Sequence, residues 1–415
     1  VGTNNGLIKV TKNEGVTWDD VTIPGLPYPT RGLVSGLDAS HTDSGGAYAT
    51  VDLHATGDYA PYVYRTHDYG KTWTRITNGL PTREPSGSFA RAIRADTKRA
   101  GLLFVGTESG MHMSFDDGDN WQSLQLNLPN TSYRDITIKG NDLVVGTYGR
   151  GIFILDDFAV LRQMTPAVAG EAVHLFKPDP SVRTRRNVNA DTPLPPEEPH
   201  ALNPPDGVII YYTLASKPSA DITLDVVDSS GVVVRHMSSA PIAPVAEAAR
   251  PPHPNFWVAT PQPLPTNVGL NRTSWDVRYD APPAFTHSFQ INANPGLTPA
   301  SPEGGLAPPG VYAVKLTVNG MSYTQTATVT NDPRSPATTA DIRAQHALVK
   351  KIQDGMRTAW NGYQQVAAMR VVLNSAMPPD SISAVASAIK TILARLDTVG
   401  GNPGGGRGGG RGGGG

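Results

Sequence analysis

Thr66-His-Asp-Tyr-Gly-Lys-Thr-Trp73 decides the reading of this chain, because the phrase recurs. A looser copy reads Thr11-Lys-Asn-Glu-Gly-Val-Thr-Trp18, and another reads Ser114-Phe-Asp-Asp-Gly-Asp-Asn-Trp121. The shared frame is Ser/Thr-x-Asp/Asn-x-Gly-x-Thr/Asn-Trp. Trp73 lies 55 residues after Trp18, and Trp121 lies 48 after Trp73. Each interval is room for about four short strands. Within the phrase, Asn13, Asp68 and Asp116 can fold back onto backbone N–H groups of their own turn. Gly15, Gly70 and Gly118 supply the positive φ such a turn requires. Trp18, Trp73 and Trp121 are expected to drop between adjacent sheets, each with one N–H to place. The phrase therefore reads as a hairpin staple, structural rather than chemical.

Two copies share a lead, Val1-Gly-Thr-Asn-Asn-Gly6 and Val105-Gly-Thr-Glu-Ser-Gly110. A fourth unit, residues 141–157, keeps that lead at Val145-Gly-Thr147 and one more strand, then stops without the phrase. A terminal repeat that departs from its consensus is expected where an array ends or closes.

The phrase resembles the Asp-box, or bacterial neuraminidase (BNR) repeat, of sialidases, xyloglucanase-type glycosidases and sortilin-type receptors. Thr66–Trp73 matches it fully. Asn13 replaces the Asp of the first copy, and Asn120 the usual Thr or Ser of the third. In that family the boxes sit on the blade periphery, away from the substrate. Val145-Gly-Thr-Tyr-Gly-Arg-Gly-Ile-Phe-Ile-Leu-Asp-Asp157 resembles the last blade of large bacterial sortilin-like BNR proteins, often labelled glycosyl hydrolases. The resemblance implies that residues 1–160 are the C-terminal blades of a β-propeller, about three to four in number. Earlier blades are then expected upstream, since a closed propeller needs about four to eight.

The composition agrees with short strands and many turns. Gly (43) and Pro (37) are abundant, and charged residues make up only 17%. A net charge of −1 gives no global electrostatic case for nucleic acid or an anionic membrane. With no Cys, disulfides, thiol catalysis and Cys-ligated zinc are excluded. No window of 18 apolar residues is present, so no membrane span is expected.

Residues 161–170 read as a connector. From 171 to 332 short strands alternate with turn signals: Ala172–Phe176, Gly207–Thr213, Ala220–Val227, Gly231–His236, Asn271–Arg278, Gly310–Val318 and Tyr323–Val329. They predict an antiparallel sandwich with Pro-rich insertions at 191–199 and 241–265. Pro308–Val318, with Gly320 closing a hairpin, resembles the Ig-like module that often ends secreted bacterial multidomain proteins. Trp275 is read as a core anchor. Asn271-Arg-Thr273 is a sequon in form only.

Over 333–400 the period turns helical. Ile342, Val349, Ile352, Met356, Ala359, Tyr363, Val366 and Leu373 form one stripe, broken by Arg370. Pro378 and Pro379 stop that helix, and Asp380 or Ser381 caps the next. The result is an αα-hairpin whose apolar stripe suits self-association. The tail 401–415, nearly all Gly, is expected to be disordered.

Propellers bind on the face where inner strands and their loops converge, so chemistry is sought there and not in the boxes. Asp52–Tyr62, Ser132–Asp135 and Tyr148–Arg150 qualify. They offer His54, Asp58, Tyr59, Arg134, Asp135, Tyr148 and Arg150 as ligand-binding candidates. Aromatic faces beside acids and arginines suit a glycan or a peptide. A glycosidase needs two carboxylates, about 5–5.5 Å apart for retention or about 6.5–9.5 Å for inversion. Asp52, Asp58, Glu108 and Asp135 are at hand, with Asp58 and Asp135 the catalytic candidates, yet no spacing pairs them. A sialidase also needs an arginine triad and a Tyr nucleophile, and no matching motif is present. No P-loop, dinucleotide fingerprint or Gly-x-Ser-x-Gly elbow is found, so no cofactor is expected. The ten His residues show no ligand pattern, so no metal is expected.

The functional expectation is an exported bacterial binding or scaffold protein, at the cell surface, in the periplasm or secreted. It would recognise a peptide or glycan on the propeller face. The alternative is a xyloglucanase- or sialidase-like glycoside hydrolase using a carboxylate pair.

Overall fold

The computed structural model describes residues 1–26, 32–82, 88–184, 195, 197–198, 201, 203–242, 261–284, 288–289, 300–380 and 382–400. Ser381, the tail 401–415 and most of both Pro-rich insertions lie outside the described residues. The chain is mainly β and divides into two compact units, Val1–Gly170 and Glu171–Gly415.

The first unit is a run of antiparallel meanders in chain order. β1 (Lys9–Val10) pairs with β2 (Asp19–Asp20). A four-stranded sheet follows: β3 (Leu33–Ala39), β4 (Ala47–Asp52), β5 (Tyr62–Thr66) and β6 (Thr74–Arg75). The next repeats that plan with β7 (Ala90–Ala95), β8 (Leu103–Thr107), β9 (Met111–Ser114) and β10 (Gln122–Ser123). The last has three strands only, β11 (Tyr133–Lys139), β12 (Asp142–Thr147) and β13 (Ile152–Leu155). Two short helices close the unit, α1 (Ala159–Gln163) and α2 (Pro166–Ala169). β7 touches β3 on one side and β11 on the other, so the sheets stack face to face in sequence order. Buried Tyr48, Val63, Ile76, Leu80, Ile93, Leu103, Val105 and Trp121 form one cluster between the two four-stranded sheets.

The recurring phrase builds the same turn each time. Asp68 accepts from the Thr72 N–H at 2.9 Å and from the Thr72 hydroxyl at 2.7 Å. Thr66 Oγ1 accepts from the Gly70 N–H at 3.0 Å. In the third copy Asp116 takes the corresponding bonds from Asn120 N and Nδ2, at 2.9 and 2.7 Å. Asn replaces Thr there because both present a donor at the same reach. In the first copy Asn13 accepts from the Thr17 N–H at 2.8 Å. Besides Gly15, Gly70 and Gly118, the residues before them, Glu14, Tyr69 and Asp117, also have positive φ. The Thr72 N–H, aided by the Thr72 hydroxyl, holds the Asp68 carboxyl down to about 2.

Each indole then staples one repeat to the one before. Trp73 Nε1 donates to Val21 O and Trp121 Nε1 to Ile76 O, both at 2.8 Å. Trp121 is only 5% exposed. Trp18 corrects the expectation for the first copy. No sheet precedes it among the described residues, so it stays 45% exposed and its Nε1 turns back to Gly15 O.

The second unit contains two sheets around one core. The first runs β14 (Val173–Leu175), β16 (Val208–Leu214) and β19 (Gly269–Trp275). The strands β15 (Ser181–Arg183), β17 (Thr223–Val227), β18 (Val233–Ser238), β22 (Gly310–Val318) and β23 (Met321–Asn331) form the other, in the order β15-β23-β22-β17-β18. A minor pair joins β20 (Ser288–Phe289) to β21 (Ala300–Ser301). Alternation sets the core: Val208, Ile210, Tyr212 and Leu214 of β16 face Leu224, Val226, Val314 and Leu316 of the other sheet. Trp275 is fully buried there, packs edge-on against Tyr312 and donates Nε1 to Arg278 O. One feature departs from an all-antiparallel sandwich: β15 pairs with β23 in parallel. The chain crosses from β14 to the opposite sheet within a short segment that carries Pro178 and Pro180. Asn271 is buried and spends its amide on the backbone of Asn267 and Gly269, so the sequon does not present an acceptor.

The helical region is α3 (Thr339–Ser375) and α4 (Ala384–Gly400). Thr338 and Asp341 form a capping box on α3. The predicted stripe is buried only at Ile342 and Val366, while Ile352 is 55% exposed. The helix instead buries Gln353, which donates to Glu303 O. Arg370, which interrupts the stripe, reaches Asp397 of α4 at 2.6 Å. The cap of α4 is Ser383 rather than Asp380: its hydroxyl accepts from the Ala386 N–H, while Asp380 binds the Ile382 N–H.

Candidate functional site

The site is built by a bulge that repeats. β3, β7 and β11 each carry one extra residue against their partner strand, namely Ser35, Arg91 and Arg134. A bulge re-aims the side chain it inserts. One step beyond the residues facing each bulge, the second strands of the sheets present Asp52, Glu108 and Tyr148. The two series interleave along the end of the stacked sheets.

Arg91 is their hub. Its Nη1 lies 2.7 Å from Asp52 Oδ2 and its Nε lies 2.9 Å from Glu108 Oε2. Asp52 is buried and the Arg91 side chain is only 12% exposed, so the charges are largely withdrawn from water and need one another. Ser132 Oγ donates to Glu108 Oε2 at 2.7 Å, and Arg134 Nε donates to Ser132 Oγ at 3.3 Å. The Arg134 guanidinium sits 4.3 Å from the Tyr148 ring centre. At the other end Asp52 Oδ1 meets His54 Nδ1 at 2.6 Å. The His54 ring stacks on Phe89 at 4.8 Å, and Tyr59 tilts against the same Phe89 at 6.1 Å. Arg91 lies over that ring too, at 4.3 Å. Deeper in the stack, Arg94 repeats the device, binding Asp38 at 2.8 Å and Ile136 O at 2.7 Å.

The predicted site residues separate accordingly. His54 and Tyr59 gather around Phe89, and Arg134 and Tyr148 form a pair. The polar row Asp52–Arg91–Glu108–Ser132 connects the two groups. Asp58 is engaged within its own loop, by the Tyr62 hydroxyl at 2.6 Å and the Ala60 N–H. Asp135 is largely exposed, 3.8 Å from Arg94. Asp58 and Asp135 share no partner. Arg150 stands on the exposed turn between β12 and β13. Arg91 and Phe89 were missed from sequence. Their bulge phase is hidden because the turn from first to second strand spans residues 40–46, 96–102 and 140–141 in the three sheets. The opposing series carried a signal: the residue after Val-Gly-Thr is Glu108 in one repeat and Tyr148 in another.

The arrangement limits its own chemistry. One guanidinium engages both Asp52 and Glu108, so both carboxyl groups are turned onto Arg91 rather than across an open cleft as a glycosidase pair requires. What remains accessible is Tyr59, His54, Arg134 and Tyr148, aromatic faces with one cation poised over a ring. Such a surface suits sugar rings or acidic and aromatic peptide side chains. Among the described residues, no group of three or more His, Asp or Glu is placed to hold a metal. No helix among the described residues is long and apolar enough to cross a membrane.

No protein-family model and no curated protein matches this chain. Among solved structures it is similar to a GH74 enzyme of Niastella koreensis, at 12% identity over 78% of this chain and 45% of that one, with a TM-score of 0.29. It is similar to an ancestral GH74 enzyme at 13% identity, over 78% of this chain and 39% of that one, with a TM-score of 0.29. It is also similar to the computationally designed Ika8 protein at 14% identity, over 37% of this chain and 41% of that one, with a TM-score of 0.26. The chain spans less than half the length of each of these structures. No chemistry follows from likeness at that level.

Proposed function

We propose that this chain is part of an exported recognition protein that binds a glycan or peptide through His54, Tyr59, Arg134 and Tyr148. In this reading the meanders of the first unit are β-propeller blades stapled by Asp-box turns, of the BNR or sortilin-like kind. The second unit is an Ig-like sandwich carrying a helical hairpin. The observation that carries the binding reading is the shared use of Arg91 by Asp52 and Glu108. It consumes the two carboxylates of the row and leaves aromatic and cationic groups facing solvent.

The test is a glycan and peptide array, with a parallel assay for sugar released from polysaccharides and sialosides. Binding that falls at least about tenfold in Arg134→Ala and Tyr148→Ala supports recognition on this row, the loss of one desolvated polar or aromatic contact being worth that much. Sugar release that vanishes in Asp58→Ala or Asp135→Ala would replace recognition with hydrolysis.

A further inference from the structure

Arg91 receives an acid from each of two positions in the repeat. Asp52 of the preceding sheet lies 2.7 Å from its Nη1, and Glu108, on the second strand of its own sheet, lies 2.9 Å from its Nε. The same register holds one sheet later. The Glu108 N–H donates to Phe89 O, and the Tyr148 N–H donates to Ser132 O. Tyr148 therefore stands where Glu108 stands one repeat earlier, and Arg134 is inserted where Arg91 is.

Arg134 inherits neither acid. At the preceding-sheet position is Glu108, whose Oε2 already accepts from Arg91 Nε and from Ser132 Oγ. At the own-sheet position the acid is replaced by Tyr148. Asp135, next in the chain, lies 3.8 Å from Arg94 instead. Among the described residues Arg134 forms no ion pair: its Nε donates to Ser132 Oγ at 3.3 Å, and its guanidinium sits 4.3 Å from the Tyr148 ring centre. Both sheets from which this register delivers an acid are thus in place, and neither delivers one. A hydroxyl and a ring hold the guanidinium of an exposed side chain, and its two terminal nitrogens have no acceptor among the described residues. A cation oriented in this way loses little freedom on taking a ligand.

We infer that Arg134 is the anion subsite of the recognition row and that the ligand is a uronate-bearing glycan. The inference rests on the recognition reading given above and names its ligand class. The uronate carboxylate takes the guanidinium fork, which matches a planar carboxylate with two parallel bonds. Its sugar ring lies against Tyr148, which is 66% exposed. A uronate joins carboxylate and ring by one bond, as the site sets cation beside ring. An acidic peptide side chain has a carboxylate without a ring and would leave Tyr148 unused. Arg150, two residues on in the same exposed turn, adds a second positive charge. Tyr148 determines specificity by being no acid: a carboxylate at that position would satisfy Arg134 from within.

The experiment is titration calorimetry of the full chain with oligomers of galacturonate, glucuronate, mannuronate and guluronate, each beside its methyl ester. A uronate oligomer should bind, and its ester should bind at least about tenfold more weakly, through loss of the charge-assisted pair. Arg134→Lys should cost at least about fivefold, because an ammonium lacks the fork. Tyr148→Glu should bind more weakly than Tyr148→Gln, since both remove the ring but only Glu pairs with Arg134. Arg134 and Tyr148 are exposed, so all three variants should keep the thermal transition, which separates lost binding from lost folding. Equal binding of acid and ester, or equal loss in Tyr148→Glu and Tyr148→Gln, overturns the inference and leaves recognition on the row standing. Binding of no uronate, with another array ligand still lost in Arg134→Ala, does the same. An array without any bound ligand removes the recognition reading and this inference together.

Discussion

The indole N–H of Trp121 donates to the main-chain carbonyl of Ile76, 2.8 Å away in the preceding sheet. One side chain thereby supplies both apolar contact and a directional bond across a sheet interface. Trp121→Ala should cost the first unit about 3–5 kcal/mol, the range for deleting a buried aromatic. Trp18→Ala should cost less than about 1 kcal/mol, because that ring is half exposed and bonded only within its own turn. Chemical denaturation of the full chain, following the transition of the first unit, compares the two.

Removing Arg91 takes the guanidinium partner from the buried carboxyl of Asp52. Arg91→Met should destabilise by about 3–5 kcal/mol, because the buried Asp52 carboxyl loses the guanidinium 2.7 Å away. Adding Asp52→Leu should recover part of the loss, since the apolar pair no longer desolvates a charge. Arg91→Lys should not rescue, because an ammonium lacks the fork that reaches Asp52 and Glu108 together. A double-mutant cycle on these variants reads the coupling directly.

Acid stability should report the turn of the second copy. The Asp68 carboxyl ordinarily titrates at 3.8 and is held at about 2 in the fold, first by the Thr72 N–H. A lowered carboxylate pKa gives stability that is complete above the unfolded value and is lost as pH falls through the folded one. The contribution should therefore fade between about pH 4 and pH 2. Asp68→Asn should flatten that part of the stability curve and leave the slope above pH 5 unchanged. Thermal melts across pH 2–6 would show it.

Gly106 and Gly146 hold the same position in successive sheets and should respond differently to a methyl group. A Cβ on Gly106 would lie 2.6 Å from Tyr133 O and 2.9 Å from Tyr133 Cβ, in the next sheet. On Gly146 the nearest atom would be Asp135 Cβ at 3.5 Å, an ordinary contact. Gly106→Ala should cost about 1–3 kcal/mol through overpacking, whereas Gly146→Ala should stay within about 1 kcal/mol of the parent. Paired thermal melts distinguish them.

Much of the first unit was legible because its turns are made by local chemistry. Thr66, Asp68, Gly70 and Thr72 bond one another within a few residues, so the phrase states its own geometry. The hub of the site was not, because Arg91 owes its direction to a register shift with β8 that neighbouring residue types do not encode. Asp58 was singled out for its residue type, yet the Tyr62 hydroxyl four residues on takes up its carboxylate. In the second unit the parallel pairing of β15 with β23 joins residues about 150 apart, beyond what periodicity reports. The helical stripe misled at Ile352, because bonds to Glu303 O and Asp280 O, made by Gln353 and Arg357, fix which face turns inward.

In the row Asp52–Arg91–Glu108–Ser132, the Asp52–Arg91 and Glu108–Ser132 links each join one sheet to the next, and the Arg91–Glu108 link connects them within the middle sheet. A stack held by such nearest-neighbour couplings behaves as a one-dimensional cooperative system, with its free energy spread along the array. Cutting Arg91 then weakens the coupling at an interface that the apolar cluster around Trp121 still holds, so its effect reaches beyond the contacts it makes. In the Arg91 variants the sharpness of the transition, and not only its midpoint, should record the break.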